Sequence, residues 1–518
     1  MAPPPGGAPP DPQADLVAFL SDGESYGLPG VEVERITTHA ALVFLAGERA
    51  YKMKRAVHYS FLDFRTLEAR TRALQAELEL NRRTAPMLYR RLVPVTREAD
   101  GGLKLAGDGA PVEWLLEMTR FDQAARLDRL AGRGELTPAI VDDLAAEIAD
   151  FHERAAVRHG FGGHAGMQAV IDGNAEDLAG LPAWVLPVAP SERLTVRCRA
   201  ELARRRHLLE ARRRSGRVRH CHGDLHLGNI VLLDGRPVLF DCLEFDEALA
   251  ATDTMYDLAF LLMDLEQQAL GALAQRLLNA YLDATWDDAG LALLPLFLAC
   301  RAAIRAKVLG FGAAQGTDGA AEAAAEAQTY LERALAYLEP APARLVAIGG
   351  LSGTGKSTLA RLLAPGLGPA PGAVVLRSDV VRKRLFGVAS GERLPEKAYR
   401  KETAREVYDA LAARAAAVVA AGHAAIVDAV FLDPNERAQI EDVAARAEVP
   451  FRGLWLSAPE EVLVERVASR RGDVSDATPE VVRRQLAIDP GAMSWRPLDA
   501  SGSAEEVAVA ARTRLAWE

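Results

Sequence analysis

The strongest chemical signal in the chain is a glycine-rich segment in its second half. Residues 350–357 read GLSGTGKS and fit the pattern G-x-x-x-x-G-K-[ST], directly after an apolar strand and before a helix. Such a loop turns its backbone N–H groups inward, where they and the helix start bind phosphate oxygens. The lysine would reach the β- and γ-phosphates, and the next hydroxyl would hold Mg²⁺. The residues expected to contact a nucleotide are Gly350, Gly353, Thr354, Gly355, Lys356, Ser357 and Thr358.

Residues after the next two predicted strands are candidates for the acceptor side. Asp379 and Arg382 lie in the run RSDVVR, and Asp428 ends the third strand. In a parallel sheet, these positions meet at the edge that also carries the phosphate loop. We expect Asp379 to accept a hydroxyl proton, Arg382 to orient the acceptor, Lys356 to stabilise the transferred group, and Asp428 to contact Mg²⁺ through water. The alternatives are a helix N-cap for Asp379 and a strand-end turn for Asp428.

Two arginines further on suit a lid over a triphosphate. Arg466 and Arg470 are four residues apart and therefore share one helix face; a solvent-exposed helix end is the alternative. With the S-D-x-x-R run, they make residues 344–518 resemble the small P-loop kinases grouped with gluconate kinase, polynucleotide 5′-kinase and zeta toxins. The resemblance implies phosphorylation of a hydroxyl, without fixing which one.

The first half carries a second, unrelated set of candidate catalytic residues. Residues 220–229 read HCHGDLHLGN, and the run LFD that ends at Asp241 follows a predicted hairpin. Phosphoryl transfer requires an aimed acceptor and neutralised charge more than covalent help from the protein. Asp224 can take the acceptor's proton, and Asn229 and Asp241 can bind Mg²⁺.

The run H-G-D-x-x-x-x-N resembles the aminoglycoside-phosphotransferase branch of the protein-kinase-like fold, which includes choline and other small-molecule kinases. The resemblance spans about residues 30–338 and implies the same roles: Asp224 as base, and Asn229 and Asp241 as metal ligands. The chain departs from protein kinases at residues 36–45, which lack a glycine-rich loop.

The same resemblance implies a strand lysine paired with a helix glutamate, and a hinge whose backbone holds adenine. The strand offers Lys52 and Lys54, which a two-residue period places on one face. The following helix offers Glu77 and Glu79. We favour Lys52 and Glu77, and we place the hinge at Met118.

Two other readings compete for residues in the first half. The histidines and cysteines around 220–242 suggest a zinc cluster, but their spacing fits no standard zinc pattern. The arginine-rich stretch 204–219 could bind phosphate or nucleic acid, although a solvated helix face also explains it.

The secondary structure expected around these residues divides the chain into two different folds. Short strands at 31–57 and a helical pattern at 67–83 precede a mostly helical region with one hairpin around Asp234-Gly235. After residue 342, strands at 345–348, 373–377, 424–428 and 451–456 alternate with helices, which favours a doubly wound parallel sheet. We therefore predict an α+β, two-lobed kinase-like domain followed by an α/β P-loop domain. The predicted divisions are a flexible tail (1–15), an N-lobe (16–119), a helical C-lobe (120–341) and a P-loop kinase domain (342–518).

Composition and charge narrow the class of protein, its substrates and its expected location. The 518 residues are 49% hydrophobic and 25% charged, as in ordinary globular proteins. The net charge of −10 argues against bulk nucleic acid as the main substrate. The sequence contains neither a secretory signal nor an apolar run long enough to span a bilayer. Four widely spaced cysteines are typical of reduced thiols, so we expect a cytoplasmic protein without a membrane partner.

The reading that follows is an ATP-dependent kinase with two sites. Each half would bind Mg-ATP and phosphorylate a small-molecule hydroxyl. In one alternative, one half is a regulatory nucleotide-binding module for the other. In another, the chain is a toxin-like kinase of nucleic-acid ends or nucleotide sugars. The sequence fixes neither the acceptors nor the oligomeric state.

Overall fold

The structure is a computed structural model, and it describes residues 13–38, 40–59, 62–244, 246–316, 319–388, 392–469 and 475–516. The chain divides into two compact units. The first unit comprises Met1–Leu136, Phe151–Phe161 and Val218–Thr252; the second unit comprises Thr137–Asp150, Gly162–Arg217 and Asp253–Glu518.

The first part of the chain forms an antiparallel sheet with strand order β1-β2-β3-β8-β6-β7 and a helix packed on it. The sheet and helix share an apolar core because Leu45, Leu74, Leu78 and Leu116 are all buried together. The elements of residues 13–136 are α1 (Ala14–Leu20), β1 (Glu34–Thr37), β2 (Ala41–Ala46), β3 (Arg49–Lys54), β4 (His58–Tyr59), β5 (Leu62–Asp63), α2 (Leu67–Asn81), β6 (Tyr89–Arg97), β7 (Leu103–Leu105), β8 (Ala110–Thr119) and α3 (Leu127–Gly132).

The middle of the chain is mostly helical, as predicted. Its elements are α4 (Pro138–Arg154), α5 (Gly163–Ala179), α6 (Val188–Arg214), β9 (Val218–His220), β10 (Ile230–Leu233), β11 (Arg236–Leu239), α7 (Glu247–Ala250), β12 (Ala251–Asp253), α8 (Thr254–Gln267), α9 (Gly271–Thr285), α10 (Leu294–Ala314) and α11 (Ala320–Tyr337). The predicted hairpin is confirmed, since β10 and β11 pair antiparallel. Asp234 and Gly235 both have positive φ, 49° and 76°, as a two-residue turn of this kind requires.

One stretch in this part, Asp288–Ala314, is long and apolar enough to cross a membrane by length and composition alone. Within the described residues, 78% of its apolar window is buried inside the protein. A core helix of a globular protein has the same properties, so this stretch is weak evidence for a membrane span.

The last part of the chain is a five-stranded parallel sheet with strand order β14-β15-β13-β16-β17. The predicted parallel sheet is confirmed, and the prediction missed its fifth strand, β17. The elements are β13 (Leu345–Gly350), α12 (Lys356–Leu363), β14 (Val374–Arg377), α13 (Ser378–Leu385), α14 (Lys401–Ala420), β15 (Ala425–Asp428), α15 (Pro434–Arg446), β16 (Phe451–Ser457), α16 (Glu460–Ser469), α17 (Pro479–Leu486), β17 (Arg496–Asp499) and α18 (Ala504–Arg514).

Two candidate active sites

In the first unit, a partly buried lysine joins two carboxylates. Lys52 Nζ lies 2.7 Å from Glu77 Oε1 on α2 and 2.6 Å from Asp241 Oδ1 after β11. Burial disfavours the charged lysine, but Asp241 and Glu77 outweigh burial and hold the pKa of Lys52 well above its ordinary value. Burial likewise disfavours the charged Asp241, and Lys52 nevertheless lowers the pKa of that carboxyl. The arrangement keeps a cation and an anion charged side by side.

The second strand lysine belongs to the same cluster. Lys54 Nζ lies 2.7 Å from Glu77 Oε2 and 2.5 Å from Glu244 Oε1, so Glu77 bridges the two lysines. Lys52 differs from Lys54 in reaching Asp241. Glu79 is exposed and accepts from Gln75 instead. Sequence reasoning missed Glu244, although its place three residues after Asp241 was a usable signal.

Asp224, Asn229 and His226 form a second cluster in this unit. Asn229 Nδ2 donates to Asp224 Oδ2 (2.9 Å) and to the Asp224 carbonyl (3.0 Å), and His226 Nε2 lies 3.4 Å from Asp224 Oδ2. The preceding Gly223 has φ +84°, and an added Cβ there would lie 2.9 Å from Leu243 Cβ. Only glycine fits this position without displacing its neighbour.

The backbone around Asp241 is held by Tyr89 and Asn81, which sequence reasoning did not find, and by His222. Asp241 has φ +61°, and its N–H donates to the Tyr89 hydroxyl at 3.0 Å. The Cys242 N–H donates to Asn81 Oδ1 at 2.8 Å. His222 is fully buried, and its Nε2 lies 2.9 Å from the Phe240 carbonyl. These contacts fix the backbone that presents Asp241, and His222 supports it through the Phe240 carbonyl.

Met118 lies near the end of β8, opposite Ala50 of β3 and Tyr89 of β6. Its side chain is buried in the core shared by the sheet and α2. The position is compatible with a hinge, and the adenine contact stays a prediction.

In the second unit, the phosphate loop has the backbone that its glycines predict. Gly350, Gly353 and Gly355 have φ values of +137°, +92° and +88°. An added Cβ would lie 2.5 Å from the Leu456 carbonyl oxygen at Gly350 and 2.7 Å from the Leu463 carbonyl oxygen at Gly353. The loop therefore requires glycine for its conformation and for close packing of backbone on backbone.

Two side chains of the phosphate loop form hydrogen bonds across it. Thr354 Oγ1 and Lys356 Nζ both donate to the Leu351 carbonyl, at 2.8 and 2.9 Å. Lys356 starts α12, with Gly355 as the N-cap, and Thr358 on the same helix is exposed. Lys356 therefore spans the loop from the start of α12 to the Leu351 carbonyl.

A hydroxyl and a carboxylate meet beside this loop. Ser357 Oγ donates to Asp428 Oδ2 at 2.5 Å, and Arg377 Nε lies 3.6 Å from the same oxygen. Asp428 is buried at the end of β15. Oxygen ligands of this kind are those that Mg²⁺ prefers. The structure thus brings together two residues that the sequence placed 71 positions apart.

Asp379 and Arg382 lie one turn apart on α13. Asp379 is in the first turn, but the N-cap position is Arg377, so the N-cap alternative for Asp379 is wrong. Arg382 is buried, donates to the Ala398 carbonyl at 2.7 Å, and lies 5.3 Å from the Tyr399 ring centre. Tyr399 in turn donates to Asp476 at 2.8 Å.

The two predicted lid arginines are not both described. Arg466 Nη1 donates to the Ala500 carbonyl at 2.7 Å, and its Nη2 donates to the Gly502 carbonyl at 3.0 Å. In this conformation, Arg466 ties α16 to the loop after β17. Arg470 lies outside the described residues.

The arginine-rich stretch is largely occupied by local carboxylates. Arg204 and Arg205 pair with Glu201, and Arg213 pairs with Glu210. Arg212 is buried and binds aspartates inside the second unit. These contacts favour the solvated-face interpretation over a phosphate-binding patch.

Comparisons with known proteins agree with both halves of this description. Residues 52–294 match the family model described as "Phosphotransferase enzyme family", and residues 345–488 match the model described as "AAA domain". An uncharacterized protein of Mycobacterium tuberculosis is 33% identical over 475 residues, which cover 90% of this chain and 92% of the relative. The chain belongs to the same family as this mycobacterial protein. An uncharacterized protein of Mycobacterium bovis matches equally well.

Solved structures are similar to parts of this chain. A choline/ethanolamine kinase family protein from Mesorhizobium loti is 15% identical, covers 63% of this chain and 95% of its own, and has a TM-score of 0.41. A sugar kinase from Janibacter sp. is 25% identical, covers 34% of this chain and 95% of its own, and has a TM-score of 0.26.

The two resemblances drawn from the sequence are confirmed at the level of family. The chain combines a phosphotransferase-family domain with a P-loop kinase-like domain. Two kinase-like domains in one chain indicate phosphotransferase activity.

Proposed function

We propose that each half binds Mg-ATP and transfers its γ-phosphoryl group to the hydroxyl of a small molecule. The observation that carries the proposal is the completeness of each compact unit. Each unit holds, by itself, a lysine for phosphate, oxygen ligands for a divalent cation, and a carboxylate for the acceptor proton. We also propose the divisions at residues 16–119, 120–341 and 342–518, and a cytoplasmic location.

The residues of the first unit fit a magnesium-bound triphosphate. Two lysines and three carboxylates lie in one cluster, so acidic groups exceed basic ones by one when all are ionised. Asn229 and Asp241 would hold the ion, which would neutralise charge on the transferred group. Lys52, kept charged by its partners, would bind phosphate oxygens. Asp224, which is 43% exposed, would accept the proton of the attacking hydroxyl.

The residues of the second unit fit the same ligand in a different way. The glycine loop would present N–H groups to the phosphates, and Lys356 would exchange the Leu351 carbonyl for phosphate oxygens. Ser357 and Asp428 would hold the ion. Asp379 would take the acceptor proton, and Arg382, one turn on, would orient the acceptor. Arg466 and Arg470 would complete the triphosphate site on closure of the lid.

The deciding experiment compares phosphorylation of a metabolite panel by the wild type, Asp224→Asn and Lys356→Ala. Matched controls are Asp234→Asn, an exposed turn residue, and Lys401→Ala, an exposed helix residue. Loss of a general base lowers the rate by about 10²–10⁴-fold, and we expect that loss only for acceptors of the first site. Lys356→Ala should abolish a different set of activities.

Binding stoichiometry tests the same proposal without an acceptor. Calorimetric titration with a non-hydrolysable ATP analogue should give two molecules per wild-type chain and one per Lys356→Ala chain. One molecule per wild-type chain contradicts the proposal. If both variants lose the same single activity, one half regulates the other. Full activity of either variant on every acceptor shows that the matching half is not a kinase.

A further inference from the structure

The edge strand of the parallel sheet is covered by a helix that comes from the middle of the chain. Within the second unit, we call residues 137–150, 162–217 and 253–338 the helical region, and residues 345–516 the P-loop region. Strand β14 is the outermost strand on its side of the sheet, where unpaired backbone groups would otherwise be exposed. The Val375 N–H donates to Asn279 Oδ1 at 2.6 Å, and Gln275 Nε2 donates to the Ala373 carbonyl at 2.9 Å. Both side chains belong to α9 of the helical region.

A buried arginine fixes the neighbouring helix of the P-loop region in the same place. Arg414 on α14 donates from Nε (2.8 Å) and Nη2 (2.9 Å) to the two oxygens of Asp288, and its Nη1 lies 3.4 Å from Asp283 Oδ1. Arg414 and Asp288 are both 5% exposed. A two-point contact between a planar guanidinium and a carboxylate fixes orientation as well as distance. The guanidinium also lies 5.3 Å from the Trp286 ring centre.

Helix α13, which carries the acceptor candidates, is held by the same segment. Arg384 donates to the Ala284 carbonyl and lies 5.6 Å from the Trp286 ring centre. This arginine is two residues after Arg382 and five after Asp379. The segment 283–288 therefore contacts both helices, α13 and α14, that border the end of β14.

The contacts continue to the candidate cation site. Arg377, the last residue of β14, partly offsets the raised pKa of Asp283 and lies 3.6 Å from Asp428. Asp428 accepts the hydrogen bond of Ser357. On the other side, Asp287 binds the buried Arg212, which anchors the segment inside the helical region. Consecutive aspartates thus face opposite ways, one into each region.

We propose that Asp283 and Asp288, which belong to the helical region, are positioning residues of the P-loop kinase site. They hold Arg414 on α14, so that the neighbouring β14 and α13 present Asp379 and Arg382 to the acceptor. The inference rests on the proposed function of the P-loop site. It adds that the P-loop site depends on contacts with the helical region, part of which follows Asp224 and Asp241 in the chain. The acceptor side, rather than the nucleotide loop, is the part that depends on these aspartates.

The test uses the full chain with Asp288→Asn and Asp283→Asn. Asp288→Glu is the conservative variant. The control is Asp142→Asn, which breaks a pair with Arg276 that lies in the same unit and is 30–45% exposed. The readouts are kcat and KM for the acceptor that the panel assigns to Lys356, and the affinity of the second site for AMPPNP. A third readout is hydrogen exchange of residues 374–385, which needs no turnover.

We expect Asp288→Asn to lower kcat/KM at least tenfold, mainly through the KM for the acceptor, with AMPPNP affinity changed less than threefold. Asp283→Asn should act in the same direction, Asp288→Glu should restore part of the loss, and the control should match the wild type. A purely structural contact would reduce the folded fraction but leave the KM of the folded enzyme unchanged. That result in both asparagine variants overturns the inference.

Failure of the proposed function gives a different result. If the wild type has no Lys356-dependent phosphorylation, the proposed function of this site is wrong, and hydrogen exchange then decides the inference. Faster exchange at 374–385 in Asp288→Asn than in Asp142→Asn supports positioning by the helical region. Equal exchange in the two variants contradicts it.

Discussion

The two candidate sites hold the lysines that we propose to bind phosphate in opposite ways. Lys52 lies between Glu77 and Asp241, and Lys54 lies between Glu77 and Glu244. Ion pairs between side chains therefore organise the first site. Lys356 donates to a backbone carbonyl, inside a loop whose shape depends on glycines with positive φ. One site is preformed by ion pairs between side chains, and the other by backbone conformation. Substitutions should therefore affect stability and function differently in the two sites.

The largest expected effect comes from breaking the charge balance of the first site. Glu77 is fully buried and neutralises both lysines, so Glu77→Ala leaves two buried ammonium groups short of a partner. Removing one partner of a buried ion pair costs about 3–5 kcal/mol. Lys356→Ala removes a hydrogen bond to a carbonyl that Thr354 also contacts, and a bond of this kind contributes about 1 kcal/mol.

Denaturant unfolding, monitored by hydrogen exchange in each unit, measures the loss of unfolding free energy in both variants. Glu79→Ala is the control for Glu77→Ala, because Glu79 lies two residues further along α2 and is exposed. Equal loss of unfolding free energy in Glu77→Ala and Lys356→Ala would show that the two lysines are held in the same way, against the comparison above.

The next effect concerns the backbone of the second site. Gly353→Ala combines φ +92° with an added Cβ 2.7 Å from a backbone oxygen, and backbone oxygens cannot move aside cheaply. Strain and overpacking together should cost about 2–4 kcal/mol. Gly355→Ala has a similar φ of +88°, but its Cβ meets no described atom within 4 Å, so conformational strain alone should cost about 1–2 kcal/mol.

AMPPNP titration and denaturant unfolding of Gly353→Ala and Gly355→Ala distinguish backbone strain from a steric clash of the added Cβ. We expect Gly353→Ala to lose measurable binding at the second site while the first site keeps its stoichiometry. If the two variants are equally destabilised, packing against Leu463 does not shape the loop, and φ alone accounts for its glycines.

The sequence was more informative about the second site than about the first, for a physical reason. The phosphate loop is contiguous, so the pattern at 350–357 contains both the glycines and the lysine. In the first site, Lys52 and Lys54 share a strand face, and both contact Glu77, so periodicity alone could not separate them. Only their second partners, Asp241 for Lys52 and Glu244 for Lys54, distinguish them, and these lie about 190 residues away.

Other features were beyond sequence reasoning because they depend on tertiary contacts between distant segments. Asn81 and Tyr89 support the backbone of 241–242 from elements more than 150 residues earlier. Strand β17 has four residues with Pro497 second, and it pairs along one side only. A short edge strand with proline has little of the alternating pattern that identifies strands.

A further expected effect is a difference in pH dependence between two aspartates. Asp283, in the second unit, has its pKa raised to about 6 by burial and by Asp288, although Arg414 and Arg377 lower it. Asp241, in the first unit, has its pKa lowered because Lys52 outweighs burial. A raised pKa contributes stability that is present below the ordinary value near 4 and is lost as the pH rises through 6. A lowered pKa contributes stability that is present above the ordinary value and is lost as the pH falls.

Asparagine variants isolate these contributions because asparagine does not titrate. Between pH 4 and pH 7, the unfolding free energy of the wild type relative to Asp283→Asn should fall by about 2 kcal/mol, since a quarter of the side chain stays exposed and solvent reduces the full value. Relative to Asp241→Asn, the wild type should instead gain stability between pH 3 and pH 5 and then stay level. Unfolding curves at four pH values measure both trends. If they run in the same direction, Lys52 does not dominate the surroundings of Asp241, and the first site is not organised by charge.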